Sequence, residues 1–230
     1  MAEVVEQEKV IKAPKEPLFS KKNRKLVTDP LTDNNPITIQ VLGICSALAI
    51  TAQLKAAIVM AISVLFVLSI GNVVISLMRN IIPPKIRIIV QLVVVAALVI
   101  IVDLVLKAYA YSLSKQLSVF VGLIITNCII MGRFEAFALG NTPWKSFLDG
   151  IGNAAGYGII LVIVAFFREL LGSGTLLGFK VLGDPVEKTG LYAMGYENNG
   201  FMLLSPMALI VLGIIIWVQR SKNKALIEEH

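Results

Sequence analysis

LGICSALAIT, residues Leu42 to Thr51, is an apolar run that carries one of the chain's two cysteines, Cys45, between a polar entry, Asp33-Asn34-Asn35-Pro36, and Lys55. The other cysteine, Cys128, lies in a second short apolar run, Leu117 to Met131. How these two runs relate to each other and to a bilayer decides the fold.

The chain has 230 residues, of which 57% are hydrophobic and only 16% charged, and its mean hydropathy is +0.81. Soluble domains hold roughly 45–50% apolar residues. The composition therefore implies a polytopic membrane protein. Charges gather in the two tails and in short gaps between long apolar runs, as expected where lipid excludes them. The net charge of +6 then reports topology and a headgroup-facing rim. A basic stripe interleaved with aromatics is missing from the sequence, which argues against nucleic acid as a partner.

Residues 1–35 are polar and lysine-rich, with Pro14, Pro17 and Pro30 and no apolar core of signal-peptide length. They read as a mostly disordered cytoplasmic tail whose lysines rest on anionic headgroups. The two cysteines, without CxxC spacing and expected to be buried in spans, do not suggest a secreted disulfide scaffold.

A helical span needs about 20 apolar residues at about 1.5 Å rise each. Six candidates emerge: Ile37 to Ala52, Ala56 to Met78, Ile86 to Ala108, Leu117 to Met131, Ile151 to Leu171 and Leu203 to Val218. Cytoplasmic flanks are the basic ones. Lys9, Lys12, Lys15, Lys21, Lys22, Arg24 and Lys25 precede the first span. Arg79, Lys85 and Arg87 follow the second, Arg133 and Lys145 the fourth, and Arg220, Lys222 and Lys224 the sixth. The other side collects Lys55, Lys107, Lys115, Lys180 and Lys188, with Arg168 at a membrane edge. Both termini are expected in the cytoplasm. The domain reading is a tail at 1–35, a six-helix membrane domain at 36–220 and a short cytoplasmic tail at 221–230.

The first and fourth spans, at 16 and 15 residues, fall short of that length, and each holds one cysteine. If spans one to three and four to six are related halves with three crossings each, the second half is inverted relative to the first. Ile70-Gly71-Asn72 echoes Ile151-Gly152-Asn153, and Met78-Arg79-Asn80 more weakly echoes Phe167-Arg168-Glu169. The expected fold is thus an all-α integral membrane protein of six transmembrane helices in two inverted three-helix repeats, with the first and fourth helices short or broken. Short or broken segments in matching positions point at a site near the bilayer midplane.

A membrane cysteine is most often a small packing residue. Here inversion would bring Cys45 and Cys128 together from opposite leaflets, where two thiols could form a disulfide or hold a soft metal. A [2Fe-2S] cluster normally takes four thiolates, and the only histidine is His230. A second chain would have to donate the other pair.

LGICSALAIT with its preceding DNNP, LSVFVGLIITNCIIMGRFEAFA (residues 117–138), DGIGNAAGYG (149–158) and FRELLGSG (167–174) resemble the D-subunit family of the sodium-translocating NADH:quinone oxidoreductases. The resemblance runs from Asp33 to Val218. The E subunit of that complex and the A and E subunits of the Rnf ferredoxin:NAD complex share the TNC and GR patterns. Ser46, where the Rnf E subunit has proline, and the IGN of DGIGN favour the D type. The resemblance implies six helices in inverted repeats and pairing with the homologous E subunit, alongside the A, B, C and F subunits of the complex. It further implies Cys45 and Cys128 as ligands of a shared [2Fe-2S] cluster, with a single iron as the alternative. The family reaction takes electrons from NADH across a bacterial inner membrane and back to quinone, with sodium export coupled to that route. An Rnf-type subunit and a secondary transporter of inverted-repeat architecture are the rival readings.

Other features carry plainer readings. DGIGNAAGYG has GxG spacing but opens an apolar helix rather than following a strand, so Gly152, Ala154, Ala155, Gly156 and Gly158 are expected to let helices approach closely. In LGSGTLLG, Gly172 and Gly174 are expected to end a helix. Asp103 reads as a snorkelling acid within one turn of Lys107, with a coupling-ion ligand as the alternative. Arg168 and Glu169 cannot face one another on a helix and need separate partners. Asn127 is expected either to donate to a cluster sulfur or to cap a half-helix.

Overall fold

The computed structural model describes residues 21–31, 34–109, 122–177, 179–180 and 200–222. Helix α1 spans Lys21–Thr28 and runs into a 3-10 turn, Asp29–Leu31. Three helices follow: a short α2 (Ile44–Ile50), then α3 (Leu54–Met78) and α4 (Arg87–Tyr109). After a helical turn at 122–125 come α5 (Cys128–Arg133), a π-helical segment (Phe134–Ala138) and α6 (Pro143–Ser173). A small antiparallel ribbon pairs β1 (Thr175–Leu176) with β2 (Phe179–Lys180). A 3-10 turn at Gly200–Leu203 then leads into α7 (Ser205–Lys222).

Among the described residues, α3, α4 and α6 are long and apolar enough to cross a membrane. At about 1.5 Å per residue, the 25 residues of α3 reach about 37 Å, beyond the roughly 30 Å hydrocarbon layer. Pro83 and Pro84, which lack the amide proton a continuing helix needs, lie in the connection to α4. In α4 only Gln91, Val95 and Val99, one stripe at four-residue spacing, are buried. Ile88, Ile89, Val93, Ile100, Ile101 and Leu104 are exposed, a distribution that suits lipid and would be costly in water.

The core is the α3–α6 pair. Leu54 meets Glu169, Ala61 meets Gly158, Ser69 meets Gly150 and Asn72 meets Ser146, so the helices run antiparallel along their lengths. Glycine on α6 makes this possible: a Cβ on Gly150 would sit 2.9 Å from Ser69 Cα, and one on Gly158 3.0 Å from Ala61 Cβ. Gly158, one of the small residues expected to let helices approach closely, does so against α3, and Gly150 joins it.

Residues 21–31 depart from the tail reading. They form an ordered helix and turn, and the backbone of Leu26, Val27 and Pro30 lies where Cβ atoms on Gly152 and Gly156 would stand. This docking is backbone against glycine. It leaves no apolar run to be read in the sequence, and residues 1–20 lie outside the described part. Asn35 of the DNNP stretch fastens the same region: its Nδ2 donates to the Gly156 carbonyl at 3.1 Å, and its Oδ1 accepts from the amides of Ile37 and Thr38.

The second and third expected spans match α3 and α4 to within two residues. The fifth begins at Pro143, eight residues before Ile151, because Lys145, Ser146 and Asp149 belong to the helix. Proline at the first helical position has the required φ and lacks only an amide proton that would have no helical partner. Of the fourth span, residues 117–121 lie outside the described part.

Candidate functional site

Both short runs are broken, and each break places a cysteine in the first turn of a half-helix. In the first, Val41 (φ 59°) and Gly43 (φ 81°) adopt left-handed backbone before α2 begins at Ile44. That conformation is strained for a β-branched valine. At Gly43 it is easy, and close packing also demands glycine, since a Cβ there would stand 3.0 Å from Tyr157 Cε2. In the second, Asn127 is the N-cap of α5, its Oδ1 accepting from Ile129 N at 3.3 Å, and Cys128 is the first helical residue. Capping is therefore one of the two roles expected for Asn127.

Cys45 and Cys128 are free thiols, and both are exposed on the surface of the chain. The expectation of buried cysteines is corrected. Each half-helix turns its other side inward, with Ser46, Ala47 and Ile50 buried in α2 and Ile129 and Ile130 in α5. Opposite sides of a helix cannot both face the core.

The residues next to the cysteines hold the two half-helices together. Asn127 Nδ2 donates to Ser46 Oγ at 3.3 Å, and Ser46 Oγ lies 2.7 Å from the Tyr157 hydroxyl. Tyr157 is fully buried and stands fourteen residues after Pro143 and sixteen before Ser173, at the middle of α6. The sequence reading missed this tyrosine. Its signal was available: between Asn153 and Arg168 it is the one polar side chain in a run of small and apolar residues.

Two charged ties hold the far ends of the half-helices to α6. Arg168 is buried and donates to Thr51 Oγ1, the C-cap of α2, at 2.5 Å, and to the carbonyls of Met202 (3.1 Å), Leu203 (2.8 Å) and Leu204 (3.1 Å). The adjacent Glu169 accepts instead from the Leu54 amide at 2.5 Å, at the start of α3. The two residues have separate partners, as expected. At the other end, Arg133, the last residue of α5, pairs with Asp149, its Nε 3.0 Å from Oδ2. Asp149, Tyr157 and Arg168 thus hold α5, the centre and α2 in turn. By helical rise, Asp149 stands about 12 Å and Arg168 about 16 Å from Tyr157 along α6.

Several other residues resolve simply. Asp103 pairs with Lys107 at 2.5 Å, one turn away, in line with the snorkelling reading. Gly174 ends α6 in left-handed geometry (φ 69°), whereas Gly172 lies inside the helix, where a Cβ would stand 2.9 Å from Leu203 Cγ. Gly172 is therefore a packing residue rather than a terminator. Among the described residues, no group of three or more His, Cys, Asp or Glu side chains is gathered to hold a metal ion. Two soft thiols suit half of a four-thiolate set, and they do not suit the whole of one.

Comparison with known proteins bears on the family of the chain. Residues 23–216 match the family model described as "Rnf-Nqr subunit, membrane protein". The chain is 55% identical over 210 residues to the D subunit of the Na(+)-translocating NADH-quinone reductase of Pasteurella multocida, covering 91% of this chain and 99% of the relative. It is 54% identical over 205 residues to the protein of the same name from Psychromonas ingrahamii, covering 89% and 95%. A third, from Photobacterium profundum, is 54% identical over 209 residues, covering 91% and 97%. By the span of the family match and the level of identity, this chain belongs to the Rnf-Nqr family of membrane subunits.

Proposed function

We propose that this chain serves as the D subunit of a Na+-translocating NADH-quinone reductase and supplies two of four thiolates to an iron-sulfur centre within the bilayer. The observation that carries the reading is the pair of exposed cysteines on two half-helices joined by the Asn127–Ser46 hydrogen bond, level with the middle of α6. Exposure on the isolated chain is what a half-site requires, since the remaining ligands must arrive from outside. The homologous E subunit brings the matching pair, and the A, B, C and F subunits complete the complex.

The antiparallel α3–α6 pair, each helix following a cysteine-bearing half-helix and each holding an Ile-Gly-Asn triplet, supports two inverted halves. In that arrangement the chain crosses six times, with both termini in the cytoplasm of a bacterial inner membrane. The relatives, named as D subunits of the sodium-translocating reductase, favour that complex over an Rnf-type one.

A bound [2Fe-2S] cluster supplies one-electron reduction and reoxidation, on the way from NADH as donor to quinone as acceptor. This chain's residues do the positioning. Cys45 and Cys128 present soft sulfur ligands toward the partner, and the buried sides of α2 and α5 keep the half-helices seated. Apolar walls from α3, α4 and α6 keep water away from the middle of the roughly 30 Å layer. Arg133–Asp149 and Arg168 stand nearer its edges, where charged groups cost less.

Iron and acid-labile sulfide measured on the purified complex, with native Cys45 and with Cys45→Ser, test the reading. The variant is expected to lack the share of iron and sulfide owed to the shared centre. Equal contents in both would refute it.

A further inference from the structure

We propose that Tyr157 is a positioning residue that sets the mutual placement of Cys45 and Cys128, acting through Ser46 and Asn127. The inference rests on the reading of the two cysteines as ligands.

Ser46 Oγ has three neighbours: the Gly43 carbonyl at 2.8 Å, the Tyr157 hydroxyl at 2.7 Å and Asn127 Nδ2 at 3.3 Å. A serine hydroxyl has one proton and two lone pairs. The carbonyl can only accept, so the serine proton goes to Gly43. The amide nitrogen can only donate, so it takes one lone pair. Tyr157 must then donate its proton to the other, and Ser46 is left fully used.

That assignment makes the buried phenol the fixed end of a chain of contacts reaching both cysteines. Its hydroxyl holds Ser46, the neighbour of Cys45 in α2. Its ring lies against Gly43, at the backbone break that launches the same half-helix. Through Ser46 it orients Asn127, whose other side-chain atom caps the helix that begins at Cys128. Tyr157 belongs to a 31-residue helix tied at Asp149 and Arg168, so it has a rigid base from which to hold two short, separate segments. Residues that orient metal ligands without touching the metal typically change affinity or activity by about 10–100-fold when altered.

The test uses the purified, assembled complex carrying Tyr157→Phe, which removes one hydroxyl and keeps the ring against Gly43. Cys45→Ser serves as reference, and the part of the iron paramagnetic resonance spectrum that it abolishes defines the signal to follow. Tyr157→Phe is expected to change the shape or midpoint potential of that signal and to lower NADH-driven quinone reduction by about tenfold or more. NADH oxidation by an artificial acceptor should be unchanged. Ser46→Ala reads the same network from its other end and replaces the first variant should that fail to assemble. It should produce the same spectral change, and the double variant little more than either alone. An unaltered signal and quinone reduction in both assembled variants, with Cys45→Ser losing its iron, would overturn the role of Tyr157 alone. Lower yield with an unaltered signal would overturn it as well, by leaving only a packing role. Iron retained in Cys45→Ser would instead remove the ligand reading on which the inference stands.

Discussion

Arg168 and Thr51 lie 117 positions apart in sequence, yet the buried guanidinium Nη1 donates to the threonine hydroxyl at 2.5 Å. Thr51 Oγ1 in turn donates to the Ala47 carbonyl at 2.6 Å. The last turn of the cysteine-bearing α2 is thereby anchored to the far end of α6. The same guanidinium satisfies three carbonyls of the turn that leads into α7. One side chain closes the junction of α2, α6 and α7.

Arg168→Ala should therefore destabilise the protein strongly, because it leaves three carbonyls and a hydroxyl without their donor in a buried place. The expected loss is about 3 kcal/mol or more. Arg168→Lys should recover little, since an ammonium cannot reproduce the planar fork that serves four acceptors. Thermal unfolding of the purified complex checks both, and a lysine variant as stable as the native protein would contradict the anchoring role.

Cys45→Ser and Cys128→Ser should each abolish NADH-driven quinone reduction and sodium transport in assembled complex. Serine offers a harder, poorly deprotonated oxygen in place of a soft thiolate. NADH oxidation by an artificial acceptor should persist, because it lies upstream of the proposed membrane centre. If either variant keeps quinone reduction, that cysteine returns to a packing role.

Gly156→Ala should loosen the N-terminal segment from α6, since the new methyl would collide with the Pro30 carbonyl, a backbone atom that cannot rotate away. Overpacking of this kind costs about 1–3 kcal/mol. Gly213→Ala is the control: nothing lies within 4 Å of a Cβ there, and alanine favours the helix by up to about 1 kcal/mol. Limited proteolysis near residues 21–31 should accelerate in the first variant and stay unchanged in the second.

Reporter fusions after Met78 and at His230 should report the cytoplasm, and one near Lys188 the opposite side, by the distribution of lysine and arginine beside the spans. A cytoplasmic signal at Lys188 is incompatible with six crossings in inverted halves.

What the sequence determined by itself is everything that lipid dictates. Long apolar runs can only be helices in a bilayer, because every backbone polar group must be satisfied internally. The spans at Ala56 to Met78 and Ile86 to Ala108 were thus legible almost to the residue, and the shortness of the runs around Cys45 and Cys128 announced two broken segments. The need for separate partners of Arg168 and Glu169 followed from helical geometry alone. Tertiary structure decided which partners those are, since Thr51, Leu54 and the 202–204 carbonyls are remote in sequence. It also decided that the thiols face outward, that residues 21–31 dock on α6, and that Tyr157 joins the two half-helices through Ser46 and Asn127. Hydropathy measures transfer from water to lipid, and it has no term for a backbone seated on a glycine or a hydroxyl shared among three neighbours.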